Sequence, residues 1–274
     1  VKAASVVFKR DDYKELTSYK KLFLKIEKLL GLCSEQSVEV VVFPALLGCL
    51  FDSGERYISD IVELSNAYKG MAICPGSYYE ADSGKAYHSS CIITNGRILL
   101  KQRQIYLAKW EKNIGLSRGT ELKSILLHGM KLGIIISTDV FYSQVSRAFA
   151  MSGAELILSP VAFIGKENKS RQLSGLWQNV QVNPFFGVES GYKGSFCGYE
   201  FESCSAVHAP LEMTEKGDGF LVVESESQEN EIILAELDNE KRKEAVKKFN
   251  TLAQLNIEAY KDMLFAPNEG GCHE

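Results

Sequence analysis

The sequence predicts an α/β fold in which two β-sheets lie sandwiched between helices, and three observations carry that expectation. Short β-branched runs alternate with helix-period segments along much of the chain. Hairpin patterns and a late cluster of strands interrupt the alternation, which does not suit a purely parallel, doubly wound sheet. At 274 residues and 45% hydrophobic, with no internal repeat and no Pro/Gly-rich linker, the chain is long enough for one large core. A single domain over 1–265 is expected, followed by a loose tail, 266–274.

Taken in order, Ala3 to Phe8 reads as a strand, Tyr13 to Leu32 as a helix, Val38 to Phe43 as a second strand and Tyr57 to Tyr68 as a second helix. Strand-like runs follow at Ala72 to Tyr78, Ser89 to Thr94 and Ile98 to Lys101. Asn95-Gly96 marks a hairpin, since both residues tolerate positive φ. A further series comprises strands at Ser124 to Leu127, Leu132 to Ser137 and Leu156 to Leu158, with helices at Ser143 to Met151 and Arg171 to Val180. Strands near Phe185 to Val188, Ser205 to Val207, Gly219 to Val223 and Ile232 to Glu236 precede a final helix, Asn239 to Leu264. Its lysines and arginine oppose an apolar stripe, as on a solvated helix packed against a core.

Charge and composition exclude several roles. A net charge of -4 without a basic patch argues against nucleic acid and anionic membrane as partners. The longest apolar run, Val38 to Leu50, holds Glu39 and Pro44 and is too short to span a bilayer. With a strand-like opening and no visible leader, a cytoplasmic location is expected. Seven scattered cysteines without a CxxC pair read as buried free thiols. Asn168-Lys169-Ser170 matches a glycosylation acceptor only by chance in that setting. The four histidines have no zinc-like spacing, so neither metal nor cofactor is expected.

Two segments invite chemistry. Gly115-Leu116-Ser117-Arg118-Gly119 fits GxSxG, yet the polar residues before it and the turn after it do not supply the strand and helix of a nucleophile elbow. Gly133 to Asp139 is a buried strand ending abruptly in Ser137, Thr138 and Asp139, where α/β sheets present side chains to a site. An ordinary strand exit capping the next helix fits that segment equally well.

Three blocks then resemble the nitrilase, or carbon-nitrogen hydrolase, family, in its order and spacing. These are Val41 to Gly48, with Pro44-Ala45 where the family has Pro-Glu; Arg103 to Leu107, similar to its Arg-Lys-x-His-Leu; and Gly133 to Asp139 continuing to Pro160, similar to its Gly-x-x-Ile-Cys-Tyr-Asp block. The resemblance runs from about Ala3 to Asp238 and implies a four-layer αββα sandwich. It also implies a glutamate base, an oxyanion-stabilising lysine and a cysteine nucleophile, and these positions hold Ala45, Gln104 and Ser137. A second family glutamate is kept as Glu111, and Glu111, Thr138, Asp139 and Phe163 are the expected binding positions.

Neighbours offer little replacement. Lys101 lies an odd number of strand residues from Gln104 and should face the other way; Lys109 and Lys112 would have to swing in from a loop. Cys49 reads as a packed thiol. The expectation is a nitrilase-fold protein without hydrolase activity, kept for a small amide- or carboxylate-like ligand or for a protein partner. An amidase-like hydrolase with relocated chemistry, using Ser137 with Glu111 or Asp139 and a loop lysine, is the alternative. The resemblance further implies a homodimer, through the region of Val140, Phe141, Tyr142 and Phe149 and through Leu264-Phe265.

Overall fold

The computed structural model describes residues 1–166, 169–225, 230–249 and 252–259. The chain opens with β1 (Lys2–Val6), α1 (Arg10–Glu15), α2 (Tyr19–Glu35), β2 (Val40–Val42), α3 (Gly54–Leu64), β3 (Ala72–Cys74), β4 (Tyr78–Asp82), β5 (Lys85–Thr94) and β6 (Arg97–Arg103). Then come α4 (Lys109–Asn113), β7 (Leu116–Ser117), β8 (Ser124–Leu127), β9 (Met130–Ile134), α5 (Ser143–Met151), β10 (Leu156–Val161), α6 (Lys169–Gln172) and α7 (Gln178–Val182). The last elements are β11 (Phe186–Gly191), β12 (Lys193–Phe196), β13 (Tyr199–Glu202), β14 (Ala206–His208), β15 (Phe220–Val223), β16 (Ile232–Glu236) and α8 (Asn239–Phe249).

Two sheets form, with strand orders β16-β1-β2-β3-β5-β4 and β15-β14-β11-β10-β9-β8, while β6 and β7 pair with β5. Strand alternation assigns the layers. Ala3, Val40, Val42, Ala72 and Cys74 face the second sheet and meet Leu132, Ile134, Leu156, Leu158, Phe186 and Val188 in an apolar middle. The intervening Ala4, Val6, Val41 and Ile73 face outward under Leu22, Ile26, Leu29 and Leu30 of α2 and Tyr57, Ile58 and Ile61 of α3. Ile157 and Val161 of the second sheet lie likewise under α5 and α7, through Val145, Phe149 and Val180. The molecule is therefore the αββα sandwich expected, with both helical layers held by stripes at helical period.

Several boundaries differ from the sequence reading for local reasons. The first helix splits at Leu16–Ser18, where the Ser18 hydroxyl accepts from the Lys21 N–H and starts a new helix. The run from Ala72 breaks at Pro75-Gly76, and Gly76 holds φ +84 so close to Pro44 that a Cβ would stand 2.0 Å from its carbonyl oxygen. The segment expected as one helix to Val180 is interrupted at Leu173–Trp177, where Gly175 leaves helical φ/ψ. Asn95 and Gly96 both have positive φ, as the hairpin required. The small β12-β13 sheet was not anticipated. The final helix is described to Phe249; Asn168, Leu264-Phe265 and the tail lie outside the described residues.

Buried thiols are found at Cys33, Cys49, Cys74 and Cys91, but Cys197 is exposed and Cys204 half-buried, which corrects the expectation for those two. Both belong to the β12-β13 region, whose short polar strands cannot cover them. No helix among the described residues is long and apolar enough to cross a membrane. No group of three or more metal-ligating side chains is found among them.

Candidate functional site

The ends of β2, β6 and β9 bring the substituted positions into the interior. Ala45 follows β2 and is fully buried, packed with Leu46, Cys49, Trp110, Ala162, Tyr192 and Phe201. Leu46 beside it has φ 65, a left-handed conformation for a bulky residue, and its N–H is fixed on the Ser77 hydroxyl at 2.8 Å. Ser137, in the turn after β9, also takes positive φ, 45, at 2% exposure. Its hydroxyl donates to the Ala162 carbonyl at 2.9 Å. Hydrogen bonds from Ser137 to Glu111 or Asp139 are not among the contacts formed; each carboxylate is committed elsewhere.

Gln104, just past β6, is the hub of a buried polar circuit. Its amide oxygen lies 2.6 Å from His88 Nδ1, and its amide nitrogen reaches Thr138 Oγ1 at 2.8 Å, Tyr106 O at 3.0 Å and Glu111 Oε2 at 3.0 Å. Two amide hydrogens thus meet three acceptors. His88 Nδ1 is also 2.6 Å from Glu111 Oε1, while Nε2 is 2.6 Å from Ser77 Oγ. One tautomer satisfies every contact: Nδ1–H is shared between Gln104 and Glu111, and Nε2 accepts from the Ser77 hydroxyl. Glu111, the third residue of α4, reaches back to accept from the Ala108 N–H at 2.6 Å, so helix capping fixes the carboxylate.

Asp139 is 2% exposed and accepts from the Ile105 N–H at 2.9 Å and the Tyr106 N–H at 2.6 Å. It holds the chain after Gln104 in place. Burial pushes its carboxyl up to about 7, against the opposing hydrogen bonds from Ile105 and Tyr106, with Glu111 nearby adding to the rise.

The loop lysines stay outside. Lys109 and Lys112 are exposed on α4, and Lys101 points away from Gln104 to donate to Glu80 at 3.1 Å. Burial alone would raise the Glu80 carboxyl, but hydrogen bonds from Arg103, Ser89 and Lys101 outweigh it and bring it to about 2. Phe163 packs on Phe141 at 4.9 Å between ring centroids, within the cluster beneath the second helical layer. Tyr106, whose carbonyl Gln104 meets, packs against the same cluster. Ser117 sits on the two-residue β7, with neither the strand nor the helix of an elbow around it. Cys49 is packed beside Ala45, and burial raises its thiol well above the ordinary value.

An aromatic cover closes over Ala45. Trp110 stands 5.6 Å from Phe201, 6.0 Å from Tyr199 and 6.3 Å from Phe196, and Phe201 meets Tyr192 at 5.8 Å. Three of these rings lie on β12 and β13. His88, Ser77 and this cover were missed from sequence. The usable signal was a histidine among small residues on β5, which pairs with β6 and so stands beside the Gln104 segment.

A family model described as carbon-nitrogen hydrolase matches residues 5–183. An omega-amidase of Xenopus tropicalis is 24% identical over 156 residues, 50% of this chain and 56% of that protein. A nitrilase of Pyrococcus abyssi is 26% identical over 161 residues, 53% of this chain and 60% of its own length. The matched stretch thus spans little more than half of these relatives. Among solved structures, a carbon-nitrogen hydrolase from Helicobacter pylori G27 superposes with a TM-score of 0.79 at 20% identity, covering 97% of this chain and 98% of the other. An amidase from Nesterenkonia sp. gives 0.75 at 16% identity, covering 96% and 95%.

Proposed function

The chain belongs to the carbon-nitrogen hydrolase family, and from that premise we propose that it is a member without hydrolase activity, retained for association. Acyl transfer needs a nucleophile with a base, a charged or N–H donor aimed at the oxyanion, and an acid for the leaving amine. The observation that carries the reading is that Ser137 spends its hydroxyl proton on the Ala162 carbonyl while Gln104 distributes its amide hydrogens among protein acceptors. Ala45, the position of the base, has no titratable group. No amide or carboxylate ligand is needed to satisfy these groups, so the geometry favours a protein partner over a small ligand at this centre.

Incubation of the purified protein with short amides, nitriles and carbamoyl compounds, read as ammonia release, should give no signal above a heat-treated control. Turnover abolished by Ser137→Ala would overturn the reading in favour of a serine hydrolase. For the partner we propose a second copy of the chain. Tyr142, Met151 and Val182 are exposed on and beside the second helical layer, whereas Val140 and Phe149 of the same region are core residues and contribute no surface. Light scattering at micromolar concentration should give at least twice the chain mass; a monomer would remove this part of the proposal.

A further inference from the structure

A cavity of about 270 Å³ opens on the outer face of the second sheet, between the Leu173–Trp177 turn and strands β11, β14 and β15. Trp177, Leu173, Ala206 and Phe220 make its walls apolar, and Glu189 of β11 and His208 of β14 stand side by side within it. His208 Nε2 donates to Glu189 Oε2 at 3.0 Å, and the two side chains are 2% and 1% exposed. Each keeps a buried polar atom without a partner: Oε1 of Glu189 and Nδ1 of His208. A buried acceptor left unpaired has lost its hydration without compensation, so an orphan pair inside a cavity is a specific irregularity.

With Nε2–H given to Glu189, both open atoms are acceptors, which selects a ligand that brings donors. Glu224, also in the lining, adds a second carboxylate, although its charge is shared with Lys193. The lining holds no lysine or arginine. We propose that this cavity binds a small organic cation, an amine or amidine carried on an aromatic body, with its N–H groups on Glu189 Oε1 and its ring among Trp177, Phe220 and Leu173. The proposal is independent of whether Ser137 is inert.

Trp177 supplies the reporter. Its indole N–H donates to Asp218 O at 2.8 Å, and its ring lines the cavity. In ¹H–¹⁵N spectra of the full chain titrated with benzamidine, the Trp177 indole resonance should shift saturably. Benzamide should bind more weakly and benzoate should leave the resonance still. Glu189→Gln should weaken benzamidine by at least about tenfold, because a charge-assisted hydrogen bond is lost. Should that variant fail to fold, Ala206→Leu, which enlarges the apolar wall directly across the strand pair from Glu189, should abolish the shift instead. A Trp177 resonance unmoved by millimolar benzamidine, equal response to the three probes, or unchanged affinity in a folded Glu189→Gln protein would each overturn the proposal.

Discussion

The amide oxygen of Gln104 lies 2.6 Å from Nδ1 of His88, with both side chains fully buried. On the proposed assignment a neutral side chain takes the position of a lysine, and its polar atoms are closed onto the protein. The circuit depends on one carboxylate more than on any other group, since Glu111 serves His88, Gln104 and the Ala108 N–H. Glu111→Ala should therefore cost roughly 3 kcal/mol in urea denaturation, because several buried donors lose their acceptor together. Glu111→Gln, which keeps an acceptor oxygen, should cost clearly less. A loss below about 0.5 kcal/mol for the alanine variant, the level of an ordinary surface change, would mean that the circuit does not order this region.

Ala45 leaves no room for a longer side chain. It is fully buried against Leu46, Trp110, Ala162, Tyr192 and Phe201. Ala45→Glu adds volume to a packed cluster and buries a carboxylate there, a combined cost of about 3 kcal/mol or more. Adding Gln104→Lys supplies a counter-charge and should recover about 1 kcal/mol, read as the coupling in a double-mutant cycle of denaturation midpoints. Strict additivity would place the two positions out of each other's reach.

Asp139 makes stability depend on pH with a defined sign. Its carboxyl ordinarily titrates at 3.8 and is raised by burial to about 7 in the folded chain. Between those values the folded state holds a proton that the unfolded state has released. The contribution is therefore fully present below the lower value and is lost as pH rises through the upper one. Asp139→Asn removes this dependence, so its stability relative to the parent should rise from acid to mildly alkaline pH, by up to roughly 4 kcal/mol. Parallel curves for the two proteins from melts at matched ionic strength would reject the assignment.

The sandwich was legible because its strands alternate cleanly: Ala3, Val40 and Val42 face one way and Ala4 and Val41 the other. The family blocks pointed to Ala45, Gln104 and Ser137, and all three are buried at the ends of β2, β6 and β9. The cover over them was not legible, since Lys193–Phe196 and Tyr199–Glu202 are short, contain glycine and polar residues, and carry neither period strongly. His88 escaped for a different reason. A histidine among small residues on β5 is a faint mark, and its place in the circuit arises only when β5 pairs with β6 and α4 folds Glu111 back over both. Glu111 was ambiguous between surface and interior in the sequence, and its capping contact with the Ala108 N–H is what turns it inward.

Ser137→Cys alone should restore no amide or nitrile hydrolysis. A thiol there would take over the hydroxyl's contact with Ala162 O, an acceptor that holds the proton rather than removing it. Neither Gln104, which is neutral, nor Lys101, Lys109 and Lys112, which face solvent or Glu80, supplies a cation to favour thiolate. If some thiolate did form and attack, Gln104 would have to surrender a hydrogen bond to Thr138, Tyr106 or Glu111 to meet the oxyanion, and a neutral donor stabilises it about half as well as a charged one. The leaving amine would find no acid at Ala45, and the acyl-enzyme no base to activate water. Mass spectrometry after incubation with a reactive amide analogue separates these steps: neither adduct nor ammonia is expected from the single variant. Ammonia release from Ser137→Cys would show that a base and an oxyanion donor are already in place, and the reading of an inert centre would fall. With Ala45→Glu, Gln104→Lys and Ser137→Cys combined, all three roles return, and activity should follow only if the aromatic cover of Trp110, Tyr192 and Phe201 opens to admit substrate.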